Sequence, residues 1–582
     1  MYLGISCTGH DNSIALVNSD GKVLYAQAVE RETQTKHGFS VCPDQPYKLA
    51  KLIKQYAPNA THLTICKSWP EDTPQKMGSE INNIAMADYD GIVREVAGIF
   101  KGVQTHNMND VFLPNIQMGG GGAKRAAMAL NLTTDTRQFD HHSSHAAFAC
   151  YSSPFDEAAC LVMDGYGEDS AQSIFVYKDN KLEKLPKPAY LGELNQLSAS
   201  LGVYYGVTVC RLCGFAMDSG EEWKVMGLAP YGELNEPVLA LLRKHIAVKD
   251  GYLTLPEGST AALAALRPHT RPYAQFPKEA ADLAYTAQYH FNELMAEILT
   301  HVHAVTGMDN IVITGGCALN SSFNGRVIEN TPFSDLFVPC APGDDGNSVG
   351  AALLAVKQDF PEKVIQNRLQ TPYLGDEILE EEVENFIEKS GFGNVHKHDW
   401  QDLYQNVAHM MAEGKVVAWV QGRAEFGPRA LGHRSILADS RSIEMKTKIN
   451  AAVKFREPFR PFAPMILADK GDEYFENYHD TPYMEKVATF KPLIREAVSA
   501  VCHADNTGRL QSVTKERNAH VYHLIEAFEK ITGVPVIINT SLNVMGKPIV
   551  SSLNDAVMTF LTTDIEVLVM GQYVFTKGQA IR

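Results

Sequence analysis

The feature that most limits how this sequence can fold is a pattern that occurs twice. Tyr2-Leu3-Gly4-Ile5-Ser6 reads as an apolar strand that runs into a polar turn, Gly9-His10-Asp11-Asn12, and then a second strand over 13–17. A tight turn at Asp20-Gly21 leads to a third strand over 23–29. The same order returns further on: a strand over 158–163, a glycine-bearing turn (Asp164-Gly165-Tyr166-Gly167-Glu168), a strand over 172–177 and a turn at Asp179-Asn180. A sheet built this way needs helices to cover it, so the repeat predicts two related α/β lobes around a cleft.

Other elements fit between and after these. A helix is predicted over 43–57 and strands over 62–67, 310–313 and 336–338, with a helix over 348–357 closing the first region. The stretch 71–115 has too weak a periodicity to place an element, and 77–122, with Gly119-Gly120-Gly121-Gly122, matches no motif and is read as an acceptor lid. A polar, proline-containing stretch from Gln358 to about Asp376 holds the expected linker, 361–376, between a first domain at 1–360 and a second at 377–582. The second is read as α/β as well, with helices over 378–389 and 401–413 and buried strands over 415–420, 534–538 and 567–570.

Composition excludes several classes. The ten cysteines are scattered without a C-x-x-C pair, which argues against a disulfide framework or a zinc ribbon. A net charge of −16 and the lack of a Lys/Arg run disfavour nucleic acid as a partner. No apolar run approaches the roughly 20 residues that span a bilayer, and the opening residues lack the basic stretch of a leader. The expectation is a cytoplasmic protein acting on small molecules, with no membrane partner and with a homodimer allowed.

Three groups of residues carry chemistry. In Asp140-His141-His142-Ser143-Ser144-His145, a helix puts His141 and His145 on one face, four apart, and turns His142 elsewhere. Two imidazoles on one face suit a divalent metal; Asp164 and Asp344 complete a mixed N/O shell fit for Fe(II), Mn(II) or Zn(II). A bare H-x-x-x-H also occurs as ordinary histidines at a helix start, so the reading leans on its neighbours. Glycine loops follow several strands: Gly165 and Gly167, Gly315 and Gly316 with Asn320, and Gly343, joined by Glu222 and Lys224 in Gly220–Ala229. Each alone is common turn chemistry; together, across two lobes, they suit nucleotide binding and resemble the actin, sugar-kinase and heat-shock-ATPase fold. The third group is cationic. Arg423, Arg429 and Arg434 sit among glycines, Lys454, Arg456 and Arg460 among Phe and Pro, and Ser541 and Asn543 project on one side of a strand end. Surface salt bridges are the bland alternative, but interleaving with Phe, Pro and Gly favours an anion pocket.

At this point the sequence resembles the O-carbamoyltransferases of antibiotic and nodulation-factor biosynthesis. The segments are G-H-D-N-S-I-A-L-V (9–17), E-R with K-H (30–37), D-H-H-S-S-H-A (140–146), D-G-Y-G-E (164–168), K-V-M-G-L-A-P-Y-G (224–232), G-G-C-A-L-N (315–320), G-P-R-A-L-G-H-R-S (427–435), K-F-R-E-P-F-R-P-F-A-P (454–464) and N-T-S-L-N (539–543). The resemblance implies a first domain similar to the tRNA threonylcarbamoyltransferase and a second similar to the YrdC-like domain. The YrdC-like domain would turn carbamoyl phosphate and ATP, with Mg(2+), into carbamoyl adenylate and pyrophosphate. The first would pass the carbamoyl group to a hydroxyl of a small natural product, such as a sugar or polyketide, and release AMP. Carried over by motif, His141, His145, Asp164 and Asp344 would hold iron. Lys454, Arg456, Ser541 and Asn543 would match the Lys-x-Arg…Ser-x-Asn anion site, while Asn320 and the loop at Gly315 would contact the adenylate. His10, Asp11 and His37 are the candidates for the base that a neutral hydroxyl needs, though they read equally well as turn and cap residues. Rival readings are a small-molecule kinase on the same fold, a tRNA threonylcarbamoylation enzyme, and a non-enzymatic nucleotide-driven regulator.

Overall fold

A computed structural model describes residues 1–71, 110, 112–168, 170–188, 199–216, 220–272, 277–365, 371–457 and 459–577. Most of the stretch read as a lid therefore lies outside the described residues. The chain forms two compact units: Met1–Glu30 with His37–Gln370, and Arg31–Lys36 with Thr371–Arg582. Among the described residues no helix is long and apolar enough to cross a membrane.

In the first unit, the strands β1 (Tyr2–Ser6), β2 (Ser13–Val17), β3 (Val23–Ala28), β4 (His62–Lys67) and β5 (Thr133–Gln138) form one sheet in the order β3-β2-β1-β4-β5. The first three are antiparallel neighbours; β4 and β5 join in parallel. A second sheet is made of β6 (Ala158–Met163), β7 (Gln172–Lys178), β8 (Lys181–Lys184), β11 (Asn310–Thr314) and β12 (Asp335–Phe337), with β9 (Ala247–Lys249) and β10 (Tyr252–Thr254) forming a separate hairpin. Its order, β12-β11-β6-β7-β8, has β6, β7 and β8 antiparallel and β11 and β12 added in parallel. The two sheets thus share one topology, which is that of the bilobal actin and sugar-kinase architecture. The repeat in the sequence is the trace of this duplication.

Helices bury their inner faces between these sheets. The helix His141–Ser152 is capped by Asp140, whose Oδ1 accepts from Ser143 N at 2.6 Å, and every side chain but Ser143 is buried. A helix apolar or sealed all round belongs in the interior. It crosses the helix Asn347–Asp359 at Gly350, where an added Cβ would lie 1.8 Å from Ser144 O. The latter helix also meets β1, where a Cβ on Gly4 would fall 1.6 Å from Ser348 O. The four glycines at 119–122 have a local explanation. Asp44 Oδ2 accepts from Gly120 N and Ala123 N, both at 3.0 Å, and a Cβ on Gly122 would collide with Asp44 O at 1.7 Å. At least in that part, the stretch read as a lid is a tightly docked start to the helix Gly121–Ala129.

The second unit has an eight-stranded sheet ordered β13-β22-β21-β14-β15-β20-β16-β19. These strands are β13 (Val395–Lys397), β14 (Val417–Val420), β15 (Arg434–Asp439), β16 (Ala463–Leu467), β19 (Gln511–Val513), β20 (Val536–Ser541), β21 (Val567–Met570) and β22 (Tyr573–Thr576); β17 (Val487–Thr489) pairs separately with β18 (Thr507–Arg509). The helices Trp400–Ala412 and Ala519–Thr532 cover one face, around Trp419, Leu437 and Ile537. The other face buries Ile436, Ile466, Phe490 and Ile538.

Two strand boundaries differ from expectation for a clear reason. β20 does not end where its apolar run ends, because Asn539-Thr540-Ser541 continue the ladder against β15. β14 starts later than expected, since Val416 N donates to Glu566 Oε2 instead of a neighbouring strand.

Gly350→Ala is expected to cost about 1–3 kcal/mol, as overpacking of a tight contact does. Gly121→Ala, whose Cβ would meet nothing within 4 Å, should stay within about 0.5 kcal/mol of the parent. Chemical denaturation of both variants checks the contrast.

Candidate functional site

Four side chains converge in the middle of the first unit. His141 and His145 come from the helix described above, Asp164 follows β6, and Asp344 opens the short turn before Asn347. His141 Nε2 lies 3.2 Å from Asp164 Oδ2 and 3.4 Å from Asp344 Oδ1; His145 Nε2 lies 3.3 and 3.4 Å from the same atoms. One donor atom from each residue lies within 4.8 Å of all the others, and all four residues are buried. Ligands about 2.1 Å from a tetrahedral zinc-like ion would stand roughly 3.4 Å apart, so the measured separations suit a first-row divalent ion.

Electrostatics point the same way. Burial disfavours the His141 imidazolium, yet Asp344 and Asp164 outweigh it and push this group up to about 10. His145 is raised as well, its burial outweighed by hydrogen bonds to the same carboxylates. The two carboxylates therefore demand positive charge at this point, either as protons or as a cation. Asn347 Nδ2 lies 3.1 Å from His141 Nδ1, while Asn347 Oδ1 is buried with no hydrogen-bond partner among the described residues. Turning that amide over lets Oδ1 accept the Nδ1 proton and leaves the Nε2 lone pair for a metal. Trp69 covers the His141 ring at 4.2 Å between centroids. His142 faces away and bonds Ser173 Oγ at 2.8 Å.

The glycine loops gather around these ligands. Gly316 N donates to Asp164 Oδ1 at 3.1 Å, and Gly315 N donates to Pro342 O at 2.8 Å. Gly315 has φ +90, and a Cβ there would sit 2.3 Å from Met163 O. Gly165 O accepts from Ser200 Oγ at 2.7 Å, Gly167 N donates to Ser170 O at 2.7 Å, and Gly343 O accepts from Gly346 N at 3.0 Å. Gly165, Gly315 and Gly316 lie just beyond the carboxyl ends of β6 and β11, the edge at which open α/β sheets bind ligands. Asn320 is engaged within the protein. Its Oδ1 caps Phe323 N at 3.1 Å, and its amide pairs with that of Gln288 in both directions. Lys224 Nζ holds Glu221 at 2.6 Å, and the Glu222 carboxyl is pushed up by burial.

His10, Asp11 and His37 form one unit. Asp11 takes His10 Nδ1 at 2.9 Å and His37 Nδ1 at 3.0 Å. Burial opposes charge on Asp11, but both imidazoles hold its carboxyl well below the usual range. His10 remains 43% exposed at its side chain, and Asp11 raises it to about 9 against the effect of burial.

The cationic residues of the second unit divide into two kinds. Arg434 is wholly buried and donates five hydrogen bonds to backbone oxygens, those of Ser551, Gln421, His433, Asp376 and Gly422. Arg423 likewise donates to Gly375 O and Leu374 O. These two, read from the sequence as anion ligands, instead fasten the loop 421–434 to the preceding chain. The same loop is gathered by Glu425, whose Oε1 accepts from Leu431, His433 and Arg434 N at 2.8, 2.8 and 3.0 Å. Arg429 differs, since no acceptor for its side chain is found among the described residues. Burial holds its guanidinium down to about 10.

Lys454 Nζ is ringed by oxygens of Ser541 and Asn543, with Asn543 Oδ1 at 2.7 Å. Arg456 bonds Asn450 Oδ1 at 2.7 Å and stacks on Phe462, and Arg460 lies 3.7 Å from Glu457. Arg509, on β18, joins them and was not singled out by the sequence reading. Its Nε is buried without a partner among the described residues; burial disfavours its charge most, followed by Arg429, Arg456 and Arg460. A lone arginine in a short strand leaves no sequence signal. Cations crowded together and opposed by one another make a site that an anion completes.

These features define a nucleotide-type α/β fold carrying a buried two-histidine, two-aspartate centre. Residues 1–353 match the family model Carbamoyltransferase N-terminus and residues 408–577 match Carbamoyltransferase C-terminus; the chain belongs to the carbamoyltransferase family. It is 32% identical to an uncharacterised protein of Synechocystis sp., over 99% of this chain and 96% of that one. It is 35% identical to nodulation protein NolO of Bradyrhizobium diazoefficiens (76% of this chain, 79% of that) and 36% identical to nodulation protein NolNO of Sinorhizobium fredii (76% of this chain, 64% of that). Among solved structures, a ROK family glucokinase from Streptomyces griseus is matched at 12% identity, over 61% of this chain and 98% of that one, with a TM-score of 0.27. That likeness is too loose to add to the sheet order described above.

The two kinds of arginine should separate in stability measurements. Arg434→Lys is expected to cost about 2–3 kcal/mol, because the buried carbonyls of Ser551 and Gln421 lose their guanidinium donor. Arg429→Ala should change stability by less than about 0.5 kcal/mol or raise it. Urea melts of both decide this.

Proposed function

We propose that the protein is an ATP- and metal-dependent O-carbamoyltransferase that makes carbamoyl adenylate in its second unit and consumes it in its first. The observation that carries this reading is the presence, in one chain of this family, of a buried two-His, two-Asp cluster and a separate set of mutually repelling cations.

In the second unit, a YrdC-like domain on this reading, the cations suit carbamoyl phosphate and ATP with Mg(2+). Water releases phosphate from carbamoyl phosphate, and the carbamate oxygen attacks the α-phosphorus of ATP with loss of pyrophosphate. Arg429, Arg456, Arg460, Arg509 and Lys454 would offset the repulsion between these anions and align them. Ser541 and Asn543 fix Lys454 in place.

In the first unit, His141, His145, Asp164 and Asp344 would hold a first-row divalent ion such as iron. Bound there, it would supply Lewis-acid stabilisation of charge developing on the carbamoyl oxygen. The backbone N–H groups of the loops at Gly165, Gly315 and Gly343 would bind the adenylate. His10, with its Nδ1 fixed by Asp11, is oriented to take the proton of the acceptor hydroxyl at Nε2, and His37 braces Asp11 from its other side. The acceptor hydroxyl attacks the carbamoyl carbon, and AMP leaves. The acceptor on this reading is a hydroxylated small molecule; the chain's acidity disfavours tRNA.

Mass spectrometry of products from protein, ATP, carbamoyl phosphate and metal tests the reading directly. AMP and pyrophosphate are expected; ADP alone would mean a kinase. Arg509→Ala should slow adenylate formation by about 10²–10³-fold while leaving use of supplied carbamoyl adenylate intact. His145→Ala should do the reverse, and its metal content should fall well below the about one ion per chain expected of the parent. Loss of both steps in both variants, with the fold intact, would sink the division of labour.

The base also predicts a pH profile. His10 must be neutral to accept a proton, and Asp11 raises its titration to about 9. Transfer from supplied carbamoyl adenylate should therefore climb about ten-fold per pH unit below that value and then level off. Asp11→Asn should move the rising limb to lower pH and reduce the plateau. A flat profile would remove His10 from this role.

A further inference from the structure

Two thiols of the first unit lie where the chemistry above gives them no part. Cys7 stands between β1 and the turn that carries His10 and Asp11, and Cys42 ends the loop 37–42 that carries His37. Their sulfurs are 3.7 Å apart, and Cys7 Sγ also lies 3.2 Å from Asn115 O. Cys7 is buried, while Cys42 is half-buried and reachable from solvent. The pair is asymmetric. The hydrogen bond from Cys7 holds the Cys42 thiol below its ordinary range, against burial and the nearby Asp44 carboxylate and with a smaller contribution from Lys67. The same bond and burial push Cys7 up. A solvent-reachable sulfur in contact with a buried one is the arrangement in which oxidation of the outer thiol is resolved by the inner. Cys150 and Cys160 also lie together, but both are fully buried.

Backbone bonds tie the loop behind Cys42 to the turn behind Cys7. Asp11 N donates to His37 O at 2.7 Å, Ser40 N to Gly9 O at 3.0 Å, and Asn12 Nδ2 to Val41 O at 2.8 Å. His37 and Ser40 hold left-handed φ values of 62 and 56, as does Asp11 at 51. Such conformations persist only where the surroundings over-determine them. A shift of Cys42 toward Cys7 is therefore transmitted to His37 and Asp11.

We infer that Cys7 and Cys42 form a hydroperoxide-reactive dithiol site whose disulfide switches off carbamoyl transfer in the first unit. The Cys42 thiolate attacks the peroxide, forming an S–O bond as the O–O bond breaks and hydroxide leaves to become water. The Cys7 sulfur then attacks the Cys42 sulfenic acid; the S–S bond forms, the S–O bond breaks, and the Cys7 proton leaves with the hydroxide as a second water. Two thiols and one hydrogen peroxide thus give one disulfide and two waters, with the two electrons passing to the peroxide. Closing 3.7 Å to the roughly 2.05 Å of a disulfide pulls the Cys42 side chain and the 37–42 loop that bears it toward the His10 turn. A dithiol reductant reverses it.

The activity part of this inference rests on the roles of His10 and Asp11 proposed above, whereas the cross-link does not. The test treats the full chain with stoichiometric hydrogen peroxide and maps thiols by peptide mass spectrometry. A Cys7–Cys42 peptide is expected, with transfer from supplied carbamoyl adenylate falling about 10²-fold, as for a displaced catalytic group. The AMP-forming step should continue, and dithiothreitol should restore transfer. Cys42→Ser and Cys42→Ala should both match the parent before oxidation and resist peroxide. Absence of the cross-link, or a cross-link that leaves transfer unchanged, overturns the inference. If the unoxidised protein fails to use carbamoyl adenylate, the proposed function fails instead, and the peptide map still decides whether the thiols pair.

Discussion

Two carboxylates, Asp164 and Asp344, each only 9% exposed, face the same point in the interior of the first unit. Like charges placed so close in a region of low dielectric cannot both persist without a positive partner. Much of the unit can be understood as the means of meeting that demand. The duplicated sheets deliver Asp164 at the end of a central strand and Asp344 at the turn beyond an edge strand. The buried helix His141–Ser152 delivers two imidazoles from one face, and Gly350 lets that helix close on the Asn347–Asp359 helix. Asn347, at the start of the second helix, then fixes the ring of a histidine on the first.

The second unit poses the opposite problem. There, cations are brought together with too few carboxylates among them, and burial and mutual repulsion disfavour the charges of Arg456 and Arg509. What keeps the loop 421–434 in shape despite this is a different set of arginines. Arg434 and Arg423 bind backbone oxygens of the loop and of the chain before it, and Glu425 collects three N–H groups of the same loop. The rigidity of that frame is what allows Arg429, within the same few residues, to stand without a side-chain acceptor among the described residues. A residue type that reads uniformly in the sequence therefore stands in two settings, one holding the backbone and one with no acceptor among the described residues.

The sequence made the first of these problems easier to read than the second. The repeat of strand, glycine turn and strand is a local pattern, so the two related lobes followed from it, while the order of strands in each sheet depends on long-range pairing. The His141/His145 spacing is local too, and Asp164 and Asp344 stand at strand-end turns that glycine marks. Arg509 was invisible because it is isolated in sequence and meets Arg456 only through the tertiary fold. Arg434 was misread because its five acceptors are backbone oxygens from three separate stretches of chain, and backbone carbonyls leave no signature in side-chain composition. The glycines at 119–122 read as part of an acceptor lid for the same reason: their partner, Asp44, is far away in sequence.

The opposite signs of the two centres also explain why they stand in separate units. A dicarboxylate cluster that requires a cation and a guanidinium cluster that requires an anion would satisfy each other if they shared a cavity. Both would then lose their ligands, since a good internal ion pair in low dielectric outcompetes an exchangeable one. Separation by more than a Debye length, about 8 Å at physiological ionic strength, is enough to keep exposed groups from cancelling, and buried groups need more. With a net charge of −16, most of the surface repels anions, and the guanidinium groups gathered in the second unit offset that repulsion locally. Building each cluster around its own sheet keeps the two from neutralising each other, and it leaves His10 in a field set by carboxylates, since Asp11, Asp344 and Asp164 all favour its imidazolium.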